Sequence, residues 1–187
     1  MSVNENPGTS RQDWGSKMGE MLTLSLFHEQ TRIVEPMVEW NEFEAAEPTI
    51  AQKIRSRFED HPHHVLGTIE FSGAPRLSGI NVFFNDGLMW FGSMSQSRKV
   101  ADIERDPRVT IHTATLSEEM LGGDGRVSGF AVPLDASQIK NWKPESSTDG
   151  VYFGVNIDKV HLVEIVNEQL VISMWDIRHG LRIVTRQ

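Results

Sequence analysis

Apolar residues recur at two different periods along this chain, and the period changes near residue 64. Before that point Ile50, Ile54 and Phe58 stand four apart, the spacing of one helical face. Pro48 just ahead of them suits a first helical turn, the segment 38–47 leads into it, and Asp60, His61 and Pro62 stop it. From His64 onward the pattern predicts strands over 65–71, 76–84, 88–93, 109–115, 126–132, 159–166, 169–175 and 181–185. Turn residues separate them at 72–75, 85–87, 167–168 and 179–180, with Asn85, Asp86 and Gly87 the strongest signal. A short helix is expected over roughly 97–105, closed by Asp106 and Pro107, and a second within the polar stretch 135–150. Short strands at short intervals predict a mainly β fold, an antiparallel barrel of six to seven strands with two or three short helices.

Residues 1–36 follow neither period. They open on Asn4, Asn6, Pro7, Gly8, Thr9 and Ser10 and read as a peripheral or disordered extension, with 37–187 as the folded domain. The longest apolar run there, 21–27, is too short to span a bilayer and lacks the flanks of a secretory signal. A cytoplasmic protein without membrane partners is the expectation.

Charge and composition narrow the function. A net charge of −8 argues against a general binder of nucleic acid or anionic membrane, since a polyanion would be repelled. With no cysteine there is neither a disulfide nor a thiolate nucleophile nor a cysteine metal site. His61, His63 and His64 cluster, but nothing in the sequence pairs with them, and no metal site is expected. His112 alternates with its strand neighbours and either lines a pocket or satisfies a neighbour. The run 122–125 is glycine-rich but lacks the helix and Lys-Ser/Thr of a nucleotide loop, and no Gly-x-Ser-x-Gly elbow supports hydrolysis. Glu39, Glu42, Glu44 and Glu47 read as a solvated face.

The stretch 90–99 carries the chemistry. A strand ends in Ser93, Met94 and Ser95 and runs directly into a helix whose start holds Ser97, Arg98 and Lys99. Backbone N–H groups at that helix start, serine hydroxyls and two cations suit a phosphate. The alternative is a plain capping serine, with both cations in solvent.

Five segments in order and register extend this reading: Gly67–Ile69, Gly73–Arg76, Asp86–Phe91, Ser97–Lys99 and Arg105–Val109. With them, residues from about 48 to 187 resemble the pyridoxamine 5′-phosphate oxidase-like family of FMN-binding split β-barrels, including its deazaflavin (coenzyme F-420) branch. Trp175, Gly180, Arg182 and Arg186 are similar to that family's closing segment. The resemblance implies that Arg98 and Lys99 hold a cofactor phosphate and that Ser78, Gly79, Ile80 and Asn81 run beside the ring. A glycine at 79 would let a flat ring approach closely, although a strand bend explains it equally well. The resemblance also implies a homodimer with the cofactor at the subunit interface, where Trp175 closes the partner's pocket and Arg182 lies near phosphate or substrate.

The expected function is therefore an oxidoreductase that uses FMN or coenzyme F-420 on a small molecule. No side chain is nominated as acid or base, because ring-to-substrate hydride transfer needs positioning above all. Oxidation of a pyridoxal phosphate is disfavoured, since Tyr152 is the chain's single tyrosine and the basic, tyrosine and serine set for that substrate is missing. The rivals are a non-catalytic carrier or sensor of flavin, deazaflavin or haem, and a haem-degrading enzyme on a similar barrel.

Overall fold

In the computed structural model the described residues are 37–114, 123–143, 145–146 and 149–187. The expected N-terminal extension, 1–36, lies outside them. Two helices open the described chain, α1 (Trp40–Ala46) and α2 (Pro48–Glu59). Sequence reading merged 38–47 into the approach to the second. They separate because Glu47 leaves helical geometry (φ −136°, ψ 62°) and Pro48 restarts the turn. Glu39 and Glu42 form a reciprocal capping box while staying exposed, so two of the four acidic residues read as a solvated face also start a helix. Trp40 and Phe43 of α1, and Ile50, Ile54 and Phe58 of α2, are buried.

The remaining chain is dominated by one antiparallel sheet. Its strands are β1 (His64–Ile69), β2 (Pro75–Ile80), β3 (Val82–Asn85), β4 (Leu88–Met94), β5 (Arg108–His112), β6 (Asp124–Pro133), β7 (Gly150–Val166), β8 (Gln169–Asp176) and β9 (Gly180–Arg186). Helix α3 (Arg98–Arg105) joins β4 to β5, and α4 (Ala136–Trp142) joins β6 to β7. The pairing path runs β2-β1-β5-β6-β7-β4-β3, and β8 and β9 continue from the far half of β7. The mainly β, antiparallel architecture expected from the sequence is thus present, as nine strands and four helices among the described residues.

Two features of that path shape the site. The expected strand 76–84 is broken at Asn81: β2 and β3 lie at opposite ends of the path, yet one residue joins them. The sheet therefore has to curl until its two edges meet at Asn81. It does not close, because among the described residues no ladder joins those edges.

The second feature is β7, far longer than the 159–166 expected. Gly150, Gly154, Asn156 and Asp158 hid its first half, being poor strand formers by composition. Its near end pairs with β4 (Gly150 to Gly154), its far end with β8 (Lys159 to Val166), and β6 covers most of its length. The β6–β7 register shifts between Ser128 and Gly129. A Cβ at Gly129 would stand 2.0 Å from the Asn156 carbonyl oxygen, so the kink requires glycine.

Alternation fills the interior. Leu66, Phe91, Ile111, Val127, Ile157 and Leu162, from β1, β4, β5, β6 and β7, are buried in one cluster with the apolar residues of α1 and α2. No helix among the described residues is long and apolar enough to cross a membrane.

Candidate functional site

A cavity of about 1250 Å³ opens where the curled sheet brings β2 and β3 together. One wall is Gly79, Ile80 and Asn81 at the seam. The floor is the end of β4, with Gly92, Ser93 and Met94, continuing into Ser95 and Lys99 at the start of α3. The third wall comes from the α4–β7 connection and the start of β7, with Lys143 and Tyr152. Of the residues nominated from sequence, Gly79, Ile80, Asn81, Ser93, Met94, Ser95 and Lys99 meet around this one cavity.

The start of α3 opens onto the floor of this cavity. Ser97 stands at the N-cap position with extended backbone (φ −76°, ψ 148°), but its side chain makes no capping bond. Its hydroxyl is 2.9 Å from that of Ser93 instead. The start of α3 therefore keeps donor capacity that a capping serine would otherwise consume. Lys99 reaches across the cavity wall, and its ammonium donates to the Gly79 carbonyl at 2.8 Å. Burial pushes the Lys99 pKa below its ordinary value.

Behind Lys99, one turn along α3, Asp102 is buried and ties the helix to two strands. Its carboxylate accepts from the Thr68 hydroxyl at 2.9 Å and from Arg76 Nε at 2.7 Å. Burial pushes the Asp102 pKa up, but the bonds from Arg76 and Thr68 more than offset that and hold it below the usual carboxylate range. The same Arg76 pairs with Glu70 at 3.2 Å. The helix bearing the cation is thus clamped against β1 and β2.

The opposite wall is aromatic. The Tyr152 ring lies against Gly92, where an added Cβ would come within 2.9 Å of it. Phe83 stacks on the buried Trp90 with centroids 4.6 Å apart, and Lys143 Nζ sits 4.2 Å from the Phe83 centroid. Sequence reading missed Phe83, Lys143 and Tyr152 as lining residues. Lys143 sits in a polar stretch without periodicity, and the approach of Tyr152 to Gly92 depends on the β4–β7 pairing.

Five nominated residues lie elsewhere. Ser78 alternates off the cavity wall, paired with Leu66 of β1. Ser97 contributes through Ser93 rather than directly. Arg98 is exposed and does not line the cavity. Arg182 pairs with Asp176 at 2.7 Å beside a separate depression. Trp175, nominated as a residue offered to a partner's pocket, lies within its own chain's buried cluster. It is 6% exposed and its indole packs on Phe43 of the same chain, 4.9 Å between centroids, so it belongs to the core. Ladder geometry explains this: in β8, Ser173 and Trp175 are on the inward face.

The histidines divide. His64 is buried and its Nε2 is 3.0 Å from the Phe58 carbonyl oxygen, with its pKa lowered chiefly by burial. His112 lines a shallow outer depression with Val65 and Leu77, not the main cavity.

A protein-family model described as pyridoxamine 5′-phosphate oxidase matches residues 50–164. Similar solved structures include PhzG from Burkholderia lata 383, in complex with tetrahydrophenazine-1-carboxylic acid. It is 13% identical over 79% of this chain and 93% of that one, with a TM-score of 0.57. A pyridoxamine 5′-phosphate oxidase-related, FMN-binding protein from Nostoc punctiforme PCC 73102 is 13% identical over 75% and 95%, with a TM-score of 0.54. General Stress Protein 26 from Bacillus anthracis str. Sterne is 24% identical over 59% and 91%, with a TM-score of 0.50. At such identities these likenesses establish the fold. No curated protein matches the sequence.

Proposed function

The chain belongs to the pyridoxamine 5′-phosphate oxidase family, and from that premise we propose that its cavity holds a flavin or deazaflavin for redox chemistry on a small molecule. The observation that carries this reading is the placement of Lys99, Ser93 and Ser95 at an uncapped helix start, opening onto a cavity with room for a fused ring. A phosphate fits that end: the side chains there are one cation and two hydroxyls, beside the N–H groups of a helix start. A ring fits the seam, because an added Cβ at Gly79 would meet no protein atom within 4 Å.

A bound flavin would supply the hydride chemistry. The protein's share is to hold and to screen. Lys99 fixes the anionic end, Gly79 admits the ring against β2, and Phe83 and Tyr152 form an apolar wall that limits water. Arg98, exposed beside this end, contributes long-range attraction for the anion rather than a direct contact.

The homodimer belongs to the same reading. Its support is an exposed apolar strip on the outer face of β1 and β2, where Leu77 is 74% exposed and Val65 40% exposed, with Phe71 at 90% in the adjoining turn. A second copy covering that strip would account for it.

Absorbance of the purified protein, followed by titration of the apoprotein with FMN and with coenzyme F-420, tests the proposal. A flavin or deazaflavin band, or saturable binding of either, supports it. A haem Soret band with neither cofactor bound would reject it in favour of a haem protein.

A further inference from the structure

His63 and Asn81 are separated by 18 positions, yet their side chains meet. His63 Nδ1 lies 3.1 Å from Asn81 Oδ1. The backbone of His63 is itself held by the turn before β1, where its N–H donates to His61 Nδ1 at 3.2 Å. Asn81 is the residue at the seam of the sheet: it belongs to neither β2 nor β3 and lines the cavity. The bond to His63 therefore supplies a constraint on its side chain that no strand pairing provides.

The chemistry of that bond decides which end of the carboxamide the cavity meets. An amide oxygen has lone pairs only, so the proton between the two groups resides on His63 Nδ1. With Oδ1 engaged by His63, the Asn81 amide offers its Nδ2 hydrogens. We infer that His63 is a positioning residue that fixes the Asn81 carboxamide, so that this rim of the cavity presents a hydrogen-bond donor to an acceptor atom of the bound ring. The inference rests on the flavin reading for its ligand, but the His63–Asn81 pair exists without one. The ligand it selects is a flat heterocycle with a carbonyl or ring nitrogen at the edge facing Asn81. A ring with a donor at that edge would meet two opposed hydrogens.

Two measurements separate the pair from the ligand. In the protein without cofactor, long-range ¹⁵N correlation of the imidazole should show His63 as the Nδ1–H tautomer, and Asn81→Ala should shift it toward Nε2–H. FMN titration should then show affinity falling about five-fold in His63→Ala, the loss of one hydrogen bond's worth of orientation. His63→Gln, whose amide can still donate to Oδ1, should recover most of that loss, and all variants should melt with the parent. An Nε2–H tautomer unchanged by Asn81→Ala overturns the inference, as does unaltered FMN affinity in His63→Ala. If the tautomer behaves as expected but the parent protein binds neither FMN nor coenzyme F-420, the flavin reading fails and the positioned Asn81 donor stands.

Discussion

The ammonium of Lys99 donates to the Gly79 carbonyl oxygen across 2.8 Å, joining the first turn of α3 to the strand that walls the cavity. Arg98, its neighbour in sequence, points to solvent. The two cations that look equivalent in the sequence therefore differ in reach. Lys99→Ala should weaken FMN binding by about 1.5–3 kcal/mol, the worth of one charge-assisted bond, whereas Arg98→Ala should cost under about 1 kcal/mol. Isothermal titration of each single variant distinguishes them. Equal losses would restore the two-cation grip.

Gly79 offers a test that separates fold from ligand. A Cβ there meets no protein atom within 4 Å, and the β1–β2 register passes through Gly79 opposite Val65 without a shift. The strand itself does not need glycine at this position. Gly79→Ala should leave thermal stability unchanged or slightly raised, since glycine weakens a strand interior. FMN affinity should fall, because the methyl occupies the space reserved for the ring. A variant that melts early would mean the strand, not the ligand, demands glycine.

Asp102 predicts a dependence of stability on acid. Its carboxyl titrates below the ordinary range because the bonds from Arg76 and Thr68 outweigh burial. A depressed folded-state pKa gives stability that is fully present above the unfolded value and lost as pH falls through the folded one. Asp102→Asn should lose about 1–3 kcal/mol near neutral pH, by breaking a buried charge-assisted network. Urea unfolding at pH 7 and pH 3 should show the gap between parent and variant shrinking with acid. A gap independent of pH would mean that the charge contributes nothing.

Much of this was legible beforehand. The four-residue spacing of Ile50, Ile54 and Phe58 located α2, and the serines and cations of 93–99 located the helix end of the cavity. What escaped depends on pairs of residues far apart in sequence. Asn81 reads as one more position in an alternating strand, and only the meeting of two sheet edges makes it a seam. Tyr152 reads as a single aromatic in a loop region, and only pairing with Gly92 brings it to the wall. Trp175 shows the converse: family likeness suggested a partner's pocket, while inward alternation in β8 and contact with Phe43 place it in its own core.

That placement changes what its removal should do. Trp175→Ala should destabilise the chain by about 3–5 kcal/mol, the range for emptying a buried aromatic site. Mixing it with an Arg98→Ala/Lys99→Ala chain should not regenerate an intact site. Calorimetry reads the first expectation and FMN binding by the mixture reads the second. Recovery of one site per pair of chains would return Trp175 to the interface.

The hydroxyl of Ser97 faces Ser93 instead of closing the end of its own helix, and this gives the start of α3 a kinetic signature. An amide proton without a firm acceptor trades with deuterium from the solvent far faster than one locked in a ladder. The amide of Lys99, which a capping hydroxyl would have shielded, should therefore exchange early in the free protein, ahead of those in β6 and β7. An oxyanion settling there would take up that donor and slow its exchange, so deuterium uptake at this single turn can report occupancy even for a ligand without colour.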